Sequence, residues 1–158
     1  MKTEISRRVA VGGALVALGA PAVALAAGSF WLVPPNQKLD DFHGSALPPA
    51  PQAEPDAPEI VVDSPKASTG PIQAPVSIAL KFVPATGAAI DPAAFKVAVR
   101  ILGGWMDVTS EIRKRAQVKA SGVQVAGAML PKGKHRIRLQ IKDDKGRLGE
   151  DIIAFEIA

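Results

Sequence analysis

Residues 134–142 read Lys-His-Arg-Ile-Arg-Leu-Gln-Ile-Lys, and this stretch decides the fold class. Every second side chain is charged or polar, and the side chains between them suit a buried face. These inward-facing positions are His135, Ile137, Leu139 and Ile141. Because a β-strand points successive side chains to opposite faces, a period of two predicts a strand with one buried and one wet face.

The same alternation recurs along the carboxy-terminal part of the chain. It covers residues 76–82, 95–101 and 153–157, with weaker strand patterns at 59–63, 104–108, 116–120 and 123–129. Turn residues separate these stretches at Gly87, at Asp91-Pro92 and at residues 131–133 and 143–146. Thr109 is suited to cap one short helix that runs to Arg115. The pattern predicts an all-β fold, an immunoglobulin-like β-sandwich of about seven strands.

The alternating strands also predict which side chains form the core. The expected core residues are Val76, Ile78, Leu80, Phe82, Val97, Val99, Ile137, Leu139, Ile141 and Phe155. We expect Trp105 to cover one edge of this core, because it is a large apolar residue between glycines and a turn.

The amino terminus has the pattern of an export signal. Lys2, Arg7 and Arg8 precede an uncharged apolar run, and Ala24-Leu25-Ala26 offers small residues for cleavage. We therefore expect residues 1–27 to direct export to the periplasm or the extracellular space. The arginine pair resembles a twin-arginine signal, which leaves that route and the general secretory route both open. The run continues to about residue 33, so a retained membrane anchor is the alternative to cleavage.

Residues 34–58 form a proline-rich, acidic linker in this interpretation. The segment contains seven prolines, each of which fixes its own φ and lacks an amide donor. Such a segment favours extended, polyproline-like backbone, and we expect it to act as a spacer. The sandwich itself is then assigned to residues 59–158.

A family resemblance supports the predicted fold. The pattern Leu130-Pro131-x-Gly133-x-His135, followed by Asp143-x-x-Gly146 and a final Phe155-x-Ile157, resembles the last hairpin of bacterial immunoglobulin-like domains. The strand and turn pattern also resembles, more weakly, periplasmic copper carriers of the CopC type. The first resemblance implies a fold and no particular activity, because such domains serve adhesion, spacing and substrate presentation.

Composition excludes several classes of functional site. The chain has no cysteine, which excludes thiolate metal sites and disulfides. Its two histidines, His43 and His135, lie apart, and the hairpin and predicted mature start lack the ligands a copper carrier needs. The acidic pairs at residues 143–144 and 150–151 are expected to be solvated turn carboxylates. We predict no metal, no cofactor and no catalytic residues, because no nucleophile elbow or phosphate-binding glycine loop is present.

Basic side chains are the remaining functional feature. Arg136, Arg138 and Lys142 share the wet face of one strand, and we name them as the candidate contact with an anionic surface. Other cations are expected on wet faces or on the short helix: Lys81, Lys96, Arg100, Arg113, Lys114 and Arg115. We expect an exported, non-catalytic binding or accessory module whose partner is a protein or a cell-envelope polymer. The alternative is a periplasmic copper-binding carrier of the CopC type. Nucleic acid is not expected, and a membrane is expected only if the amino-terminal segment is uncleaved.

Overall fold

A computed structural model describes residues 28–39, 54–66 and 70–158 of the chain. Within these residues the chain forms eight strands and one short helix. They are β1 (Phe30–Trp31), β2 (Glu59–Ser64), β3 (Val76–Val83), β4 (Ile90–Ile101), β5 (Gly104–Asp107), α1 (Thr109–Arg115), β6 (Gly122–Met129), β7 (Gly133–Asp143) and β8 (Leu148–Ile157). The predicted all-β fold is confirmed.

The strands form two four-stranded sheets. One sheet, called sheet A, has the order β1-β6-β3-β2, and the other, sheet B, has the order β5-β4-β7-β8. The pairs are antiparallel except for β1, which runs parallel to β6. Because the inward faces of both sheets are apolar, they pack on each other as a β-sandwich.

The core lies between the two sheets and contains every side chain that the alternation assigned to it. All ten predicted core residues are buried, and Ile137, Leu139 and Val99 have exposed fractions of 1% or less. The rings of Phe82 and Phe95 join the two sheets with centroids 5.5 Å apart. The strict period of two therefore identified the buried face of each long strand correctly.

The sandwich also includes residues that the sequence analysis placed in the apolar amino-terminal run. β1 lies against β6 with Phe30 beside Ala128, and the Leu32 amide donates to the Met129 carbonyl at 2.9 Å. The side chains of Phe30, Leu32 and Val33 are buried in the core. The sandwich thus draws on residues well before Glu59. The predicted signal, residues 1–27, lies outside the described residues.

The two described ends of the proline-rich segment contact the sandwich. At one end the Leu102 amide donates to the Lys38 carbonyl at 3.0 Å. At the other end the Glu54 carboxylate accepts from the Leu148 amide at 3.3 Å. The Pro58 carbonyl lies so close to Gly149 that a Cβ there would collide with it. Residues 40–53 of the predicted linker lie outside the described part.

Two local predictions were wrong. Asp91-Pro92 does not form a turn but lies inside β4, where the pairing with β7 shifts register between Asp91 and Lys96. A register shift accommodates proline because the ladder is interrupted there and needs no amide donor. Residues 116–120 do not form a strand, and they contribute only a bridge between Lys119 and Gly122.

The helix α1 has the predicted bounds but not the predicted cap. Thr109 is its first helical residue, and the Thr109 hydroxyl lies 2.9 Å from the Val97 amide, from which it accepts a hydrogen bond. The side chain therefore ties the helix to β4 instead of capping it. Of the described residues, none belongs to a helix with the length and apolar character needed to cross a membrane.

Candidate functional site

The outer face of sheet B brings one tryptophan and three arginines together. Pairing in the hairpin of β4 and β5 sets Arg100 opposite Trp105. The pairing of β4 with β7 sets Ala98 opposite Arg138 and Val99 opposite Ile137. Arg136 lies two residues before Arg138 and points to the same face of β7. These outward positions alternate with buried ones, so the four side chains share one solvent-facing surface. We call Arg100, Trp105, Arg136 and Arg138 the arginine–tryptophan cluster.

Two of the guanidinium groups lie over the indole ring. The Arg138 guanidinium carbon is 4.6 Å from the centroid of the Trp105 ring, and that of Arg100 is 5.7 Å away. Both distances fall within the range of a cation–π interaction. The Arg138 Nε is buried and has no hydrogen-bond partner among the described residues. One indole thereby fixes two positive groups on the same face.

Trp105 itself is a correction to the sequence analysis, which expected it at the edge of the core. Met106 pairs with Val99, which is fully buried, and packs against the core. Neighbouring residues of a strand point to opposite faces, so Trp105 points outward. The two-residue connection Leu102-Gly103 sets this register, because the length of a hairpin loop fixes which residues pair. The short Leu102-Gly103 connection was therefore the sequence feature that could have indicated the outward orientation of Trp105.

The structure separates the three basic residues that the sequence analysis named. Arg136 and Arg138 belong to the cluster, whereas Lys142 lies further along β7 and pairs with Asp91. Between them, Gln140 donates a hydrogen bond to the Glu150 carboxylate on β8. Lys142 therefore stands apart from the arginines, near the other end of β7.

Arg113 has a structural role in the fold. Its Nη2 donates to the backbone carbonyls of Pro92, Ala93 and Phe95, at 2.9, 3.1 and 3.2 Å. Those carbonyls lie in the irregular part of β4, where the ladder to β7 is interrupted. The guanidinium group satisfies acceptors that lack regular ladder partners, so this cation stabilises the bulge.

Three further cations have partners of their own. The contacts are Lys114 with Glu111 at 2.7 Å, Lys81 with Asp63 at 2.7 Å, and the Arg115 guanidinium at 5.1 Å from the Phe30 ring. Each cation thus faces a nearby carboxylate or ring on sheet A or α1. The arginine–tryptophan cluster differs from them because it gathers several cations on one flat face.

A carboxylate borders the cluster at the β5 edge. Asp107 pairs with Ala98, whose other neighbour is Arg138. Hydrogen bonds from the hydroxyl and the backbone amide of Thr109 lower the pKa of Asp107, and the nearby Lys96 charge adds to this effect. Asp107 is therefore ionised at neutral pH and limits the positive surface on that side.

His135 is buried in the core, as the alternation predicted. Its Nε2 lies 2.7 Å from the Pro131 carbonyl, and its ring stacks on Phe155 with centroids 5.9 Å apart. Burial lowers the pKa of His135, and the hydrogen bond to Pro131 only partly offsets this. The imidazole is therefore neutral at neutral pH and donates from Nε2. Its Nδ1 is buried without a partner.

The described residues hold no group of three or more His, Cys, Asp or Glu side chains placed to bind a metal ion. His43, the second histidine, lies outside the described part. The Nδ1 of His135 is enclosed by the core.

Asp143 is a further correction, because it is not a solvated turn carboxylate. Its side chain is fully buried, and one oxygen accepts from the backbone amides of Lys145 and Arg147. The other oxygen accepts from the Arg147 Nε at 2.7 Å. Burial raises the pKa of Asp143, but the hydrogen bonds and the charge of Arg147 together outweigh it, so the pKa is lowered overall. Asp143 organises the turn between β7 and β8.

Neither the known family models, nor the curated protein sequences, nor the solved structures give a match to this chain. Function is therefore inferred from the chemistry of the chain's own residues.

Proposed function

We propose that this chain is an exported, non-catalytic binding module with an immunoglobulin-like sandwich. Its arginine–tryptophan cluster binds the carboxylate or phosphate groups of a cell-envelope polymer. The observation that carries the proposal is the contact of Arg100 and Arg138 with the Trp105 ring on the outer face of sheet B.

The chemistry of guanidinium groups supports this ligand class. Arginine presents several donors in a planar fork that matches a carboxylate or a phosphate bidentately. Contact with the indole restricts the Arg138 side chain before any ligand arrives, so less rotamer entropy is lost on binding. Arg136 adds a third cation on the same strand face, two residues from Arg138. A repeating anionic polymer suits such a flat surface better than a small molecule, which prefers a concave pocket.

The proposal also includes export and an immunoglobulin-like fold, and each has its own supporting observation. Lys2, Arg7 and Arg8 before an uncharged apolar run support export. The antiparallel sheets and the final hairpin of β7 and β8 support an immunoglobulin-like arrangement. Because Leu32 and Val33 are buried in the sandwich, any membrane segment ends before Phe30. Localisation in the periplasm or outside the cell places the cluster within reach of envelope polymers.

The proposal is tested by retention of the full-length protein on purified peptidoglycan across a salt series. The test variant is Arg136→Gln with Arg138→Gln, which keeps part of each aliphatic stem. The control is Lys119→Gln with Lys132→Gln, which removes the same charge from two exposed positions outside the cluster. Anionic liposomes form a second arm, since phosphate head groups offer similar chemistry.

We expect the cluster variant to lose retention on peptidoglycan at low salt and the control variant to keep it. Retention of the wild type should fall as salt rises, because charges further apart than about 8 Å are screened at physiological ionic strength. Equal retention of the wild type and both variants contradicts a role for the cluster. Retention on liposomes but not on peptidoglycan would mean that the partner is a lipid and not a polymer.

A further inference from the structure

Trp31 is an exposed tryptophan within a segment that is otherwise buried. Its exposed fraction is 46%, whereas those of its neighbours Phe30 and Leu32 are 7% and 1%. It lies on β1, the edge strand of sheet A. A half-exposed indole offers its surroundings both an apolar ring and a polar N–H.

The sequence just before β1 suggests what surrounds this indole. Residues 9–27 carry no charge and are almost entirely apolar, a length close to the roughly 20 residues that span a bilayer as a helix. Only Gly28, Ser29 and Phe30 separate this run from Trp31. Four extended residue steps cover at most about 13 Å, so a membrane segment ending at Ala27 keeps Trp31 close to the bilayer surface.

We propose that the full-length chain rests the β1 edge of its sandwich on the outer surface of the membrane, with the Trp31 indole in the head-group region. The occupant of this edge is the lipid bilayer in which residues 9–27 are inserted. Tryptophan is enriched at membrane interfaces, because its ring is apolar while its N–H can meet a polar partner.

The packing of β1 keeps the sandwich close to the membrane in an inserted chain. Phe30, Leu32 and Val33 are fixed in the core, so the sandwich cannot move away from the membrane without unpacking β1. The exposed Arg115 lies at the same edge, with its guanidinium 5.1 Å from the Phe30 ring. A cation next to the bilayer surface is attracted by anionic lipids. This proposal does not depend on the ligand of the arginine–tryptophan cluster.

The two tryptophans of the chain make the test direct. The full-length protein is inserted into vesicles of phosphatidylcholine and phosphatidylglycerol that contain lipids brominated near the head-group end of the acyl chains. The variant Trp105→Phe leaves Trp31 as the only tryptophan, and Trp31→Phe leaves Trp105 as the matched control. Circular dichroism establishes that both variants keep their β structure.

We expect the emission of Trp31 to shift to shorter wavelength and to lose intensity to the shallow bromine quencher. Trp105 is expected to keep its emission. The absence of Trp31 quenching, or equal quenching of both tryptophans, overturns the proposal. So does a mass spectrum showing that the membrane-associated protein in cells begins after Ala26, because the anchoring segment would then be gone.

Discussion

At the scale of single residues, the fold buries two polar side chains and satisfies them in different ways. His135 stays neutral and gives one nitrogen to the Pro131 carbonyl. Asp143 stays charged and receives its hydrogen bonds from Lys145 and Arg147. A buried polar group costs free energy unless it is hydrogen-bonded, so both positions should be sensitive to pH or to substitution.

His135 should make the stability of the domain depend on pH in the mildly acidic range. The pKa of His135 is lowered in the folded state, so above its ordinary value of 6.5 both states are neutral and stability is complete. As pH falls below 6.5 the unfolded chain takes up a proton and the folded chain resists it, so stability is lost. Urea unfolding at pH 8 and pH 5 measures this loss.

The variant His135→Gln removes the titrating group but can still donate to a carbonyl. We expect its free energy of unfolding to change less between the two pH values than that of the wild type. His43 is present in both proteins, so the comparison isolates His135. An identical pH dependence in the two proteins would show that His135 is solvated when folded.

Asp143 and Asp144 form a matched pair for substitution. Asp143→Asn should destabilise the domain clearly, because it removes a buried charge that accepts from Arg147 and two backbone amides. Asp144 is exposed and accepts from the Ala89 amide at 3.1 Å, so Asp144→Asn should have a smaller effect. Urea unfolding at neutral pH compares the two variants. The reverse order of stabilities would mean that Asp144 holds the turn.

At the scale of elements, β1 is the strand of the sandwich that the sequence pattern did not predict. Leu32, which follows it directly, has an exposed fraction of 1%, and truncating a buried leucine typically costs about 2–5 kcal/mol of stability. We expect Leu32→Ala to lose an amount in that range, measured by urea unfolding. Trp31→Ala is the control and should cost much less, because this side chain is half exposed. Equal small losses would show that β1 is not part of the folded domain.

The long strands could be predicted from the sequence because each has one buried and one wet face. β3 and β7 show this alternation along their length, and β8 shows it from Ile153 to Ile157. β1 could not be predicted, because Phe30-Trp31-Leu32-Val33 continues an apolar run and has no period of its own. The start of β4 was missed because Pro92 suggested a turn, whereas the bulge beside it is set by the partner strand β7.

The candidate site could be predicted only in part. Arg136 and Arg138 followed from the alternation of β7, which fixes their face independently of the rest of the fold. The positions of Arg100 and Trp105 beside them could not be predicted, because they depend on how β4 pairs with β5 and β7 in the folded sheet. Trp105 was assigned to the core edge because size and apolarity alone suggest burial. Its contact with two arginines depends on the register of the hairpin.

At the scale of the whole molecule, the cations are divided among different faces of the sandwich. The formal net charge is +4, and the distribution of the cations over the surface decides where an anionic polymer is attracted. Arg113, Lys114 and Lys81 contact groups within the fold. The binding surface that we propose is the arginine–tryptophan cluster on the outer face of sheet B. We therefore expect binding to an anionic polymer to depend more on which cations are removed than on how many are removed.

The most direct test of this assignment is a titration of the ¹⁵N-labelled full-length protein, held in detergent micelles, with soluble peptidoglycan fragments that carry free carboxylates. The readout is the two indole N–H resonances in the ¹H–¹⁵N spectrum. The account predicts that the Trp105 resonance shifts in a saturable and salt-sensitive way while the Trp31 resonance stays in place. The Trp105 shift should disappear in Arg136→Gln with Arg138→Gln. An unchanged Trp105 resonance, or equal shifts of both indoles, would contradict a ligand-binding role for the arginine–tryptophan cluster.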